Sequence, residues 1–165
     1  MKSLLIAFVL SCACALTLTP ARADSRKDDV ANLMKDLKSG SAKTRTAAAK
    51  ELGHIGAVSA ADTRDAIPLL LNLLKKDRDS NVRQAAATAL GRMDPDPEKA
   101  IPVFTEALKD KNAGVRTAAA TSLGQLGAEA KEAIPALRQA QSDKDRGVSR
   151  AAGMAIRTIQ GQTKK

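Results

Sequence analysis

Acids and arginines hold most of the chemical potential of this sequence, and they recur at matched intervals. Asp77 and Asp79, Asp94 and Asp96, and Asp143 and Asp145 stand as Asp-x-Asp pairs. Carboxylates at this spacing open many calcium loops, but such a loop needs a longer run of oxygen ligands and a closing Glu, and neither follows here. Caps and turns account for these acids better, because Asp readily accepts hydrogen bonds from nearby backbone N–H groups. His54 is the single histidine. Alone it builds no zinc set, and no spacing joins it to a Ser and an Asp as a triad. Near a helix C-terminus it is simply favoured by the negative end of the helix. The sequence has no glycine-rich dinucleotide loop and no phosphate-binding loop. The expected protein is not an enzyme and holds no metal or cofactor.

The elements that carry these side chains repeat. VRQAAATALG, Val82 to Gly91, returns as VRTAAATSLG, Val115 to Gly124, 33 residues later. Ile67-Pro68, Ile101-Pro102 and Ile134-Pro135 keep nearly the same step, as do Leu52-Gly53, Leu90-Gly91 and Leu123-Gly124. A fixed period of this size marks a solenoid, in which each unit buries its apolar face only against its neighbours. Four units follow, about residues 28–56, 62–94, 96–127 and 129–160. Each reads as two helices. Ile67, Leu70, Leu71 and Leu74 form one apolar stripe, and Val82, Ala85, Ala86, Ala89, Leu90 and Met93 form a second. Asp96 before Pro97 predicts an N-cap with proline in the first turn. Gly56 and Gly127 are expected as left-handed caps. Gly53, Gly91 and Gly124 fall inside second helices, where glycine costs about 1 kcal/mol relative to alanine, so close approach of stacked backbones is the expected reason. The stretch GAVSAADTRD reads as an insertion that adds a turn of helix.

The N-terminus has a different character. Lys2, an apolar run from Leu4 to Leu18, and Ala21-Arg22-Ala23 match a secretory leader cleaved after Ala23, which leaves 24–165 as a single domain with no transmembrane span. Cys12 and Cys14 loosely match a lipidation site, so a lipid anchor is the alternative. Both cysteines lie in the leader, and the domain cannot use a disulfide or a thiolate. Of 27 basic residues two belong to the leader, leaving 25 against 18 acidic, a formal +7. The expected destination is the bacterial periplasm or the medium.

The residues that recur in register resemble the HEAT-repeat family: Pro102, Asp110 and Arg116 in unit three, Pro68, Asp77 and Arg83 in unit two, and Pro135 and Asp143 in unit four. Unit four has Ser149 in the Arg slot, with Arg150 beside it; unit one keeps Arg45 but has Ser39 and Ala31 in place of the Asp and Pro. The resemblance implies an all-α, right-handed α-solenoid of about four two-helix repeats. It also implies that Asp77, Arg83, Asp110 and Arg116 form a structural ladder between units, ending where unit one and unit four depart from the pattern. A planar guanidinium gripping a carboxylate with two parallel hydrogen bonds suits that role. HEAT-like repeats include chromophore lyases of the phycobilisome, so a lyase-like or chromophore-handling accessory is the alternative function. They also include an iron-dependent hydroxylase with His-Glu pairs, which this sequence lacks.

In such solenoids the second helices line the concave side. The positions left outside the apolar stripes form rows there: Thr46, Gln84, Thr117 and Arg150; Lys50, Thr88, Thr121 and Met154; His54, Arg92, Gln125 and Thr158. Lys50, Gln84, Thr88, Arg92, Thr117, Thr121, Gln125, Arg150 and Met154 are the candidate partner-binding residues, with Arg92 and Arg150 as anchors. The expected function is an exported protein-interaction scaffold for a protein or peptide, preferring acidic segments. Nucleic acid is not expected, because no aromatic stacking platform accompanies the charge. Self-association through Met154, Ile156 and Ile159 is a third reading.

Overall fold

The computed structural model describes residues 20–161, with side chains from Arg26 onward. The apolar segment of the expected leader, with Cys12 and Cys14, lies outside the described residues. The described residues form nine α-helices: α1 Pro20–Asp36, α2 Ala42–Val58, α3 Ala60–Thr63, α4 Ile67–Lys76, α5 Ser80–Arg92, α6 Pro97–Ala107, α7 Ala113–Gln125, α8 Ile134–Ala140 and α9 Arg146–Ile159. Short 3-10 segments, Arg64–Ala66 and Gly127–Ala133, lead into α4 and α8. Among the described residues no helix is long and apolar enough to cross a membrane.

The helices pair as α1 with α2, α4 with α5, α6 with α7, and α8 with α9. The second helices α2, α5, α7 and α9 then stack side by side in one layer, while α4 packs on α6 in the other. The apolar stripes explain this arrangement. Leu70, Leu74, Val82, Ala85, Ala86, Ala89, Leu90 and Met93 are all buried. Phe104 is fully buried at the centre, and alanines fill much of the remaining interior. Ile156 and Ile159, expected as part of a self-association patch, are buried inside the last unit, so only Met154 of that trio is exposed. Both isoleucines fall on the side of α9 that packs against its neighbours.

Polar side chains cap five of the helices. Ser41 caps α2, Asp79 caps α5, Asp96 caps α6, Asn112 caps α7 and Asp145 caps α9, each accepting a backbone N–H from the first turn. Pro68 and Pro135 sit in the first turns of α4 and α8, where a missing N–H leaves no bond unmade. Pro102 lies deeper, because α6 begins at Pro97 where the other units have 3-10 segments.

Three glycines set how closely units approach. A Cβ on Gly53 would stand 2.8 Å from the Cα of Ala89, and one on Gly124 would stand 3.1 Å from the Cα of Ala155. Gly91 faces the side chains of Ser122 and Gln125. Gly127 has φ +58 and Gly161 φ +68, the left-handed conformation that ends a unit. Asp94, which aligns with Gly127 one period earlier, adopts φ 48.

Gly56, expected as a left-handed cap, is a helical residue instead. The insertion carries α2 on to Val58, then folds into α3 and its 3-10 turn. Gly56 thus lies buried in the helix, against Met93 and the buried Thr63 that the insertion brings in. Arg26 of α1 ties to Asp62 of α3 at 3.3 Å.

Candidate functional site

The turns between paired helices hold a repeated electrostatic staple. Arg83 on α5 grips Asp110 in the next unit's turn through Nε at 2.7 Å and Nη2 at 2.8 Å. Its Nη1 donates backwards to the carbonyls of Asp77 and Arg78 in its own turn, at 3.0 and 3.2 Å. Arg116 does the same with Asp143, at 2.7 and 2.8 Å, and with the carbonyls of Asp110 and Lys111. Arg45 grips Asp77 at 2.7 and 2.9 Å and donates to the carbonyls of Ser39 and Gly40.

Each guanidinium therefore belongs to one unit, and its carboxylate to the next. Arg45 and Asp143 complete the ladder, which extends into both terminal units rather than ending short of them. Of the departures in the sequence, Ser39 falls on the acid position of the first unit and Ser149 on the arginine position of the fourth, outside the three rungs.

Asp77-x-Asp79 and Asp143-x-Asp145, with the related Asp110-x-Asn112, divide two jobs, and Asp94 takes no part in the ladder. The first carboxylate takes the arginine and also accepts the N–H of the residue two positions on: Asp77 from Asp79, Asp110 from Asn112, and Asp143 from Asp145. The second position is the cap of the following helix. Among the described residues no three His, Cys, Asp or Glu side chains converge on a point that could hold a metal.

Burial pushes the carboxyls of Asp77 and Asp110 up, but the guanidinium forks of Arg45 and Arg83 and the accepted N–H groups outweigh it and hold both below the ordinary carboxylate value. The fork from Arg116 likewise holds Asp143 down. A carboxyl depressed in the fold stabilises it fully above the unfolded value, about 4, and loses that contribution as pH falls through the lower folded value. Thermal unfolding midpoints are expected to stay level from about pH 8 to 5 and to fall below about pH 4. A midpoint unchanged down to about pH 2 would show that these carboxylates carry no stability.

The ladder leaves the second-helix face free, and the structure brings the rows together there as two hollows. Thr46, Lys50, His54, Gln84, Thr88 and Arg92 line one of about 380 Å³ between α2 and α5, floored by Gly53, Ala85 and Ala89. Thr117, Thr121, Gln125, Arg150, Met154 and Thr158 line the other, about 510 Å³, between α7 and α9, floored by Gly124, Ala151 and Ala155. The thin alanine and glycine floors make these hollows, because larger residues there would fill them.

Thr88, Thr121 and Thr158 each donate a hydroxyl to the carbonyl four residues back, which turns their methyl groups outward from that bond. Arg92 Nη1 lies 3.3 Å from His54 Nδ1. A guanidinium only donates, so this contact uses the ring nitrogen as the acceptor. Ion pairs among the described residues engage neither Lys50 nor Arg92 nor Arg150.

Between the hollows runs the α5–α7 seam, whose importance the residue rows did not signal. Ser122, buried, donates to the carbonyl of Ala87 at 2.9 Å. The Gln84 side chain lies against Gly114, and the Gln125 side chain lies against Gly91. Both glutamines thus bridge the seam while walling their own hollow. The signal was present in the copies: the decapeptides differ only at Gln84 against Thr117 and Ala89 against Ser122.

Comparison with known proteins agrees with this architecture. The profile described as HEAT repeats matches residues 29–106 and 67–157. The chain belongs to the HEAT-repeat family. An engineered protein of solved structure is similar, at 25% identity and TM-score 0.68 over 79% of this chain and 62% of that one. The chain therefore spans less than two thirds of that relative's length. A designed armadillo repeat protein in complex with peptide (KR)4 matches at 19% identity and TM-score 0.68, covering 84% of this chain and 66% of its own. The complex of CpcE and CpcF of phycocyanin lyase from Nostoc sp. PCC7120 matches at 22% identity and TM-score 0.60, covering 81% and 79%. At those identities the last two show the fold alone. No curated protein matches the sequence.

Proposed function

We propose that this protein is an exported, non-catalytic scaffold that binds an acidic segment of another protein through its second-helix face. One observation carries the reading. Arg45, Arg83 and Arg116 are all spent on the ladder, whereas Lys50, Arg92 and Arg150 stand at the two hollows and take part in none of the described ion pairs. Cations held at a concave, partly apolar surface without internal carboxylates attract an acidic partner and orient it. The armadillo repeat protein of similar fold was solved with peptide (KR)4, a basic ligand. The charge on this face calls for the opposite sign. Export rests on the leader pattern, with a lipid anchor as its alternative.

The test is a double charge reversal, Arg92→Glu with Arg150→Glu, used as bait in envelope extract beside the unaltered protein. Both side chains are exposed, so the melting temperature is expected to stay within a few degrees. A partner held by the unaltered protein is expected to bind the double variant at least about tenfold more weakly. A folded double variant that retains the same partner at full strength rejects this face.

A further inference from the structure

The two hollows are not two copies of one site. The α2–α5 hollow presents Lys50, His54 and Arg92 around its rim. No acid lines this hollow: Asp79 caps α5 by accepting the Asn81 N–H at 2.7 Å and lines an adjoining hollow beside Lys50, and Glu51 and Asp29 line another with Arg26 and His54. Cations predominate here, and a carboxylate fits.

The α7–α9 hollow has a different wall. Met154 is 59% exposed, one of two large apolar side chains exposed among the described residues, and it stands over a floor of Gly124, Ala151 and Ala155. A flexible thioether over a shallow alanine floor accommodates aliphatic side chains of varied shape. Arg150 is the single charged group on this hollow. The position equivalent to Met154 is Thr121 on α7 and Thr88 on α5, both with their hydroxyls turned onto their own helices.

The seam between α5 and α7 separates the hollows. Ser122 clamps the two helices, and Gln84 and Gln125 lie across the glycines that would otherwise leave a third groove. Adjacent helices of this kind stand about 8–10 Å apart, so the hollow centres, two helix spacings apart, lie about 18 Å from one another. An extended chain at about 3.3 Å per residue spans that with about five or six residues.

We infer that the face recognises a bipartite extended segment, with a carboxylate-bearing cluster seated between α2 and α5 and an aliphatic side chain, about five or six residues away, seated against Met154 between α7 and α9. This rests on the reading of the face as an acidic-segment site and adds the second anchor and the distance between them. The amide groups of Gln84 and Gln125 provide donors and acceptors for the backbone that crosses the seam. Specificity arises from the spacing, because neither a cluster of acids nor a lone aliphatic residue occupies both hollows.

Labelled synthetic peptides test this by fluorescence anisotropy with the folded full domain. Each has an Asp-Glu-Asp block and a Leu, joined by Gly-Ser linkers of about two, six or ten residues, beside a six-residue version with Ser for Leu. The six-residue Leu peptide is expected to bind about tenfold tighter than the two-residue and Ser versions, with a shallow decline at ten. Met154→Ser is expected to abolish that tenfold preference while leaving the Ser peptide unchanged. Arg92→Glu is expected to weaken every peptide. Equal affinity across linkers and for Ser and Leu overturns the bipartite site but leaves the acidic-segment reading standing. No measurable binding by any of the acidic peptides overturns both.

Discussion

Replacing Arg83 by alanine is expected to destabilise the fold by about 3 kcal/mol, a drop of roughly 10 °C in Tm for a domain of this size. The magnitude follows from what the guanidinium satisfies. Arg83 is 6% exposed, and its side chain makes four hydrogen bonds: two to the Asp110 carboxylate and two to carbonyls of its own turn. Alanine leaves a largely buried carboxylate without its counter-charge. Uncompensated burial of that kind costs about 3–5 kcal/mol, and we take the lower end because the Asp110 side chain keeps 13% of its exposure to water. Arg83→Lys keeps the charge but cannot form the fork, so it is expected to lose about half as much. Urea denaturation of the two variants separates these contributions. A loss under about 1 kcal/mol for Arg83→Ala would make the rung equivalent to an ordinary surface ion pair.

The rung does more than pair charges. Because Nη1 holds the turn of one unit and Nε with Nη2 hold the turn of the next, the arginine fixes the rotation between adjacent helix pairs. Asp110 Oδ1 completes the link by accepting the Asn112 N–H at the start of α7. The second-helix face depends on that rotation, since the helices walling each hollow come from different units. Stability and the shape of the second-helix face are therefore set by the same residues, so the ladder bears on the proposed binding indirectly.

How much of this was legible depends on what each residue answers to. The repeat period, the buried stripes and the exposed rows follow from helical geometry alone, and every one of the twelve row residues lines one of the two hollows. The direction of the ladder does not follow. Arg83 stands six residues from Asp77 and 27 from Asp110, and the sequence offers no reason to prefer the distant acid. The near residue contributes its carbonyl and the far one its carboxylate because stacked units bring the next turn alongside.

Gly56 shows another limit. A glycine near the expected end of a helix suits a left-handed cap, but the inserted residues continued the helix and turned the same glycine into a contact for Met93 and Thr63. Gln84 and Gln125 show a third, since the direction of an exposed amide depends on the glycine across from it, which belongs to another helix.

Gly53→Val is expected to cost about 3 kcal/mol or more and to alter the α2–α5 hollow, because the clash is with backbone. A Cβ at this position stands 2.8 Å from Ala89 Cα and 3.0 Å from Ala89 Cβ, and no change of rotamer moves either atom. The two helices must separate, which strips contacts from the buried Ala48, Ala49, Ala85 and Ala86 around them. Gly53→Ala sets two effects against each other. Helix propensity favours alanine by about 1 kcal/mol, while forcing α2 away from α5 costs about 1–3 kcal/mol, so a net loss of about 1 kcal/mol is expected. Gly124→Ala meets Ala155 Cα at 3.1 Å, a milder approach, and is expected to fall nearer to neutral. Gly40 has open space around it and supplies the control, where alanine is expected to cost nothing through contact. The order Gly53→Val, Gly53→Ala, Gly124→Ala, Gly40→Ala, from most to least destabilising, is read by thermal and urea denaturation. If Gly53→Ala instead raised Tm, the close approach of α2 and α5 would not be what glycine is there to permit. The same series bears on binding: a variant that spreads α2 from α5 moves Lys50 and His54 away from Arg92, whereas Gly124→Ala leaves that hollow intact. Weaker binding of acidic peptides by a still-folded Gly53→Ala protein, with Gly124→Ala unaffected, would tie the spacing set by one glycine to the charge cluster above it.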